Sequence, residues 1–222
     1  MKKINKVIII LLALFTIQST NAQWRVGLLG GVNFADLKTE TGVKSRTLIG
    51  FGGTVEYPIF DQFSLLATPM YIQRGGIKEQ IEDQPELKIK GSYISIPVFV
   101  KYSLPFWAVI KPYLYTGPSV AYRLDFKMEG EFAGLGISAD LKNVTQDFDF
   151  GLGFGAGVEI PLNVLSITIE GKYYLGLIDQ HKNGTYQAEI GGLTIEDTFD
   201  ESNKFKNRGI QILVGIAFPI GN

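Results

Sequence analysis

Three groups of residues have the types and spacing to do chemistry. In DFDFGLGFGAGVEI (147–160), Gly151, Gly153 and Ala156 satisfy the G-x-G-x-x-G/A spacing with which a strand–turn–helix unit cradles a pyrophosphate. His181, the only histidine, shares a segment with Asp179, Glu196, Asp197 and Asp200, an imidazole-and-carboxylate set that could hold a metal ion. The same His181 with a serine such as Ser202 offers the base and nucleophile of a membrane-embedded hydrolase acting on lipid or peptide.

Each group has a plainer reading. After Gly157 the chain runs through Val158, Glu159 and Ile160 into Pro161, so no helix N-terminus follows to receive a phosphate. No metal-ligand spacing links His181 to the acids, and a dyad also needs an orienting group and oxyanion donors. His181 therefore reads as a solvated loop histidine. No catalytic, cofactor-binding or metal-ligating residue is expected, and the chain is not read as an enzyme. Asn143-Val-Thr145 and Asn183-Gly-Thr185 fit the glycosylation acceptor pattern, but the context reads bacterial and both are taken as chance.

The elements that must carry these residues follow a period of two, the mark of strands with unlike faces. Phe148, Phe150, Leu152, Phe154, Ala156, Val158 and Ile160 share one face of the opening stretch, against Asp147, Asp149, four glycines and Glu159 on the other. Segments 92–102, 164–174 and 210–220 alternate likewise. With 24–34, 48–57, 63–74 and 109–124 they make eight expected strands, the phase of the third being ambiguous. Pro69, Pro97, Pro112 and Pro118 fall inside these segments. Since proline cannot donate to a ladder, local breaks are expected at some of them.

The chain opens with Lys2, Lys3 and Lys6 before an apolar run from Val7 to Ile17, then Thr20 and Ala22 at a small-x-small site. Residues 1–22 therefore read as a signal peptide and 23–222 as one domain. There are no cysteines, so neither disulfides nor thiol metal sites are available. Of 21 basic and 22 acidic residues three lysines fall in the leader, leaving 18 against 22. That net charge of −4 gives no basic footprint for nucleic acid. Charged residues are 19% of the chain, below the roughly 25% of soluble domains.

The connections set the architecture. PIFDQ, SLPFWA and PLN are short turns after the second, fourth and sixth strands, whereas the links after the others are long, the longest at about 126–146 and 179–206. Short turns on one end and long loops on the other mark an outer-membrane barrel. The expectation is an all-β, eight-stranded antiparallel up-and-down transmembrane barrel with short periplasmic turns and long extracellular loops. Its polar face carries Gly50, Gly52, Gly151, Gly153, Gly155, Gly157, Gly215, Tyr93, Tyr113 and Tyr115, residues suited to packing inside a narrow lumen. Arg25, Glu56, Lys101, Lys111, Glu159, Glu170 and Lys172 share that face with both signs nearly balanced. Tyr57, Phe60, Phe63, Tyr102, Phe106 and Trp107 crowd the short turns as an interfacial girdle would. In TYQAEIGGLTIEDTF (185–199), Gly191-Gly192 suggests a hairpin with a two-residue turn, standing proud of the membrane. Residues 179–206 hold six acidic and three basic side chains, so an outside contact surface would be mildly acidic.

With YISIPVFVKY carrying Pro97 and Lys101, and with PYLYTGPSVAY, DFGLGFGAGVEI, KYYLGLID and NRGIQILVGIAF in that order, the chain resembles the PorT-like outer-membrane β-barrel family. A departure is Thr68, where such proteins often carry a glutamate. The resemblance implies an outer-membrane barrel and, in some members, a part in protein secretion. It implies no ligand residues. The expected role is structural or interactive, with the bilayer as surroundings and envelope or secretion proteins as partners through the extracellular loops. The alternatives are a soluble periplasmic lipocalin-like barrel holding an apolar ligand, and the hydrolase using His181. The first of these requires Phe150, Leu152 and Phe154 to point inward.

Overall fold

The computed structural model describes residues 23–39, 43–78, 86–105, 109–132, 134–199 and 204–220. The expected leader, with Phe106, Trp107, Asp200 and Ser202, lies outside the described residues. Among the described residues twelve strands form a single antiparallel sheet: β1 (Trp24–Lys38), β2 (Arg46–Phe60), β3 (Phe63–Ala67), β4 (Met70–Lys78), β5 (Glu86–Ser103), β6 (Lys111–Phe132), β7 (Leu135–Asp140), β8 (Phe148–Pro161), β9 (Ser166–Gly176), β10 (Gly184–Ile190), β11 (Leu193–Phe199) and β12 (Lys206–Ile220). Among the described residues no helix is long and apolar enough to cross a membrane, a criterion that says nothing of strands.

The ladders form a closed circuit. β1 pairs β2, β2 pairs β3 and β4, both pair β5, and β5 pairs β6. From there β6 pairs β8, β8 pairs β9, β9 pairs β12, and β12 returns to β1 over fifteen residue pairs from Trp24–Ile220 to Lys38–Lys206. A closed circuit has no edge among its own strands.

Three strands fall in the expected long connections. β6 runs ten residues beyond Tyr122, its last pairing with β8, and folds back as β7, so the 126–146 link is largely a hairpin and not an open loop. β10 and β11 form the hairpin expected at Gly191-Gly192, whose φ values of 57° and 86° suit a mirror-image two-residue turn. β10 also pairs β7 through Ala188–Ala139. β7, β10 and β11 thus continue the extended part of β6, itself still paired to β5 as far as Glu86–Glu131, on the long-loop side of the circuit. The β7–β10 pairing joins segments 49 residues apart and has no local sequence signal.

The prolines act as their missing donors dictate. Pro69 splits the expected third strand into β3 and β4, and its carbonyl accepts from Gly53 N instead. Leu66, Thr68, Met70, Ile72 and Arg74 are all buried, so the face is kept across the break and the ambiguous phase is resolved. Between β5 and β6 the pairing skips from Pro97–Ser119 to Val100–Thr116, leaving Pro118 unpaired on that side. Pro112 pairs with Val158 without interruption.

The faces are unlike in the expected sense. Phe150 and Phe154 are each 44% exposed and Leu152 is half-buried, while Gly151, Gly153, Asp149 and Glu159 are buried. Leu28, Phe51, Ile96, Val120, Ile169 and Val214 are exposed on neighbouring strands. The apolar face thus points out of the circuit all the way round, the reverse of a soluble barrel built around an apolar ligand. At the short turns, ring centroids lie 4.9 Å apart for Trp24–Tyr57, 5.0 Å for Phe60–Phe63 and 4.9 Å for Phe63–Tyr102. The described members of the expected girdle therefore fall in two aromatic groups, Tyr57 against Trp24 and Phe60–Phe63–Tyr102.

Candidate functional site

The interior is the place where chemistry could occur, because period two sends every second residue there. It is filled in layers. Nearest the short turns, Arg25 binds both Glu56 and Glu159. Lys101 Nζ donates to Glu56 Oε2 at 3.0 Å and to Glu159 Oε2 at 3.3 Å, and Ser166 Oγ donates to Glu159 at 3.1 Å. Two cations and two carboxylates thus neutralise one another, as the balanced signs suggested. Lys111 departs from the expectation: it is the first residue of β6 and is exposed at the turn.

Above this cluster lies a layer of rings set against glycines. Tyr113 and Tyr115 stand across the β6–β8 ladder from Gly157 and Gly155. A Cβ on Gly155 would run into the Tyr115 ring, one on Gly157 would come within 2.5 Å of Tyr113, and one on Gly153 within 2.6 Å of Phe99. The glycine file that mimics a phosphate loop is a trough occupied by aromatic side chains. Tyr113 Oη donates to Glu170 at 3.0 Å, and Lys101 Nζ lies 4.2 Å from the Tyr113 ring centroid.

The next charged layer was not legible as a unit. Arg74 binds Asp149, which is fully buried and also accepts from Asn207 Nδ2 at 2.9 Å and Gln180 Nε2 at 3.2 Å. The Arg74 guanidinium stacks 3.9 Å from the Tyr174 centroid. At the long-loop end, Arg123 donates to the carbonyls of Lys142, Thr145 and Gln146 and to Asp147 Oδ1 at 2.7 Å. This ties the β7–β8 connection over the interior, where Phe126 stacks on Phe205 at 5.4 Å beside buried Leu141 and Val144. Two cavities, of about 20 Å³ beside Arg25 and Glu170 and about 10 Å³ beside Lys172, have room for water-sized occupants.

His181 sits in the β9–β10 connection, bridged to Thr145, with its backbone N–H donating to Asp179 Oδ1 at 3.0 Å. Glu196 and Asp197 are on β11, where Asp197 accepts from Tyr186 Oη at 2.9 Å. Burial and that bond push the Tyr186 phenol up to about 12. Among the described residues these acids and His181 do not converge as a metal-holding group. Gly151, Gly153 and Ala156 lie on one continuous strand, with no turn and helix to receive a pyrophosphate.

A closed antiparallel circuit with an apolar outside and a packed, ion-paired inside defines a membrane β-barrel, not a soluble one. The model of the family "outer membrane protein beta-barrel domain" matches residues 17–182, and the chain belongs to that family, whose members sit in the lipid bilayer of the outer membrane. Among solved structures, the chain is similar to a major outer membrane protein from Thermus thermophilus (TM-score 0.52, 10% identity, 90% of this chain and 100% of that one), a likeness of fold. It is also aligned with Neisserial surface protein A (TM-score 0.49, 14% identity, 89% and 97%) and with the outer membrane protease OmpT from Escherichia coli (TM-score 0.37, 10% identity, 93% and 100%). No curated protein matches the sequence.

Proposed function

We propose that the chain is a non-enzymatic, eight-stave outer-membrane barrel with a plugged lumen, whose role is structural or interactive. The staves are β1, β2, β3 with β4, β5, β6, β8, β9 and β12. The protruding sheet of β6, β7, β10 and β11 is its contact surface for other envelope proteins, including components of a secretion apparatus. The observation that carries the reading is the filling of the interior, interrupted by water-sized cavities, from the Arg25–Glu56–Lys101–Glu159 cluster through the ring layer to the Phe126–Phe205 stack. An eight-stranded barrel has an interior only just filled by side chains, so this filling leaves no conduit. The exposed outer face of the hairpin carries Glu189 and Glu196, giving the surface an acidic cast.

The reading is tested by planar-bilayer recording of the purified, refolded protein. No stable conductance steps are expected. Reproducible steps of constant size would overturn the plugged barrel.

A further inference from the structure

The protruding hairpin ends in a strand with one free edge. Among the described residues β11 pairs only with β10, through seven consecutive residue pairs without a bulge, and stands last in the sheet order. Ile190 and Leu193 close the two-residue turn, so they and every second pair after them exchange hydrogen bonds. The N–H and C=O groups of Thr194, Glu196 and Thr198 therefore point away from β10. Thr198 N–H donates to the neighbouring Asp197 Oδ1 at 2.8 Å, an acceptor outside the ladder. For Thr194 and Glu196, no strand among the described residues lies beyond β11 to receive them. Such edges are ordinarily blunted by Lys, Pro or a bulge, and residues 193–199 contain neither Lys nor Pro.

The side chains along this edge present two chemistries. Leu193 and Ile195, 73% and 45% exposed, share one face, and Thr194, Glu196 and Thr198 share the other. On the second face Glu196 stands opposite Gln187, and Glu189 stands between Thr194 and Ser138. Among the described residues neither acid has a cation within ion-pair distance. A second copy paired along the whole edge would set Glu196 directly opposite Glu196, a like-charge pair that destabilises a sheet. A strand bearing cations at that place is attracted instead. Taking the protruding sheet as the contact surface, we propose that the free edge of β11 receives an extended segment of a partner protein as an added strand. That segment carries Lys or Arg on the face of Glu196 and apolar side chains on the face of Leu193 and Ile195. Backbone bonds to Thr194 and Glu196 attach it, and its alternation decides which of its faces lies on which side.

The probe is a short capped peptide of alternating Lys and Val, added to the full chain refolded in bilayer discs, with backbone amide exchange followed by NMR. Saturable binding that slows exchange at Thr194 and Glu196 is expected. Glu196→Lys should weaken it about tenfold, because an attractive cross-strand pair becomes a repulsive one, and should favour a Glu-Val peptide. The Lys-Val peptide with every Lys methylated on its backbone nitrogen keeps its charge but cannot complete the ladder, and should not bind. Equal binding of the methylated peptide, or protection that spares Thr194 and Glu196, overturns strand addition and leaves the sheet a side-chain contact surface. Absence of binding overturns the edge as a site for a basic strand. A dimer of the native chain protected at the same two amides overturns it too, the occupant then being a second copy. Conductance reads the plugged barrel independently of any of these results.

Discussion

Gly155→Val is expected to leave the chain unable to reach its heat-modifiable folded form. A Cβ alone would already collide with the Tyr115 ring. That ring cannot step aside, since its centroid is packed 4.9 Å from Phe99 and 5.9 Å from Tyr113. Overpacking costs about 1–3 kcal/mol where neighbours can shift, and here a closed ladder fixes both strands. The effect should lie at or beyond the upper end of that range. Two comparisons make it specific. Gly171→Val, on the outward face with nothing within 4 Å, should fold. Adding Tyr115→Ala to Gly155→Val should restore folded protein, because the two sites share one space and their effects are not additive. Gel migration with and without heating reads these variants beside the native protein. Normal folding of Gly155→Val alone would show that the ring–glycine layer is not closely packed.

Lys101→Met should be the second severe change, for an electrostatic reason. Lys101 bonds Glu56 and Glu159, all three are nearly inaccessible, and without it Arg25 alone faces two buried carboxylates. Removing one partner from a buried ionic cluster costs about 3–5 kcal/mol, since the desolvated charge left behind is uncompensated. Urea unfolding of vesicle-inserted protein should show that loss as a lower midpoint. Lys101→Met with Glu159→Gln removes one charge of each sign and should recover much of it. If the single and double variants unfolded at the same urea concentration, the cluster would not be a coupled unit.

How much of this could be read from the sequence follows from what period two encodes. Alternation assigns a face, so the outward Phe150 and Phe154, the inward glycines and the inward Glu56, Lys101 and Glu159 were legible without structure. The Gly191-Gly192 turn was legible because both positions need positive φ. Alternation does not encode height around a closed circuit. It could not say that Arg74 meets Asp149, or that Arg123 grips the 142–147 connection, because register between distant strands decides which inward residues share a layer. Asp149 reads in the sequence only as one polar member of the inward face; it is the buried centre of a cluster. The β7–β10 pairing was missed for the same reason, and the split at Pro69 was visible only as a missing donor of unknown consequence. His181 with its acids could be weighed as a site, and set aside, only on sequence proximity, which is not distance in the fold.

If the chain crosses the bilayer as proposed, the apolar file of each membrane-crossing strand faces lipid and the alternate file is packed inside. The chain has no cysteine, so single spin labels can be placed without altering any native thiol. Labels at positions 210 to 217 of β12, in protein refolded into bilayers, report collisions with oxygen dissolved in lipid. High oxygen accessibility is expected at 210, 212, 214 and 216 and low accessibility at 211, 213, 215 and 217, with a period of two. Uniform accessibility along the strand, or high values at 211 and 213 with low values at 212 and 214, would contradict it.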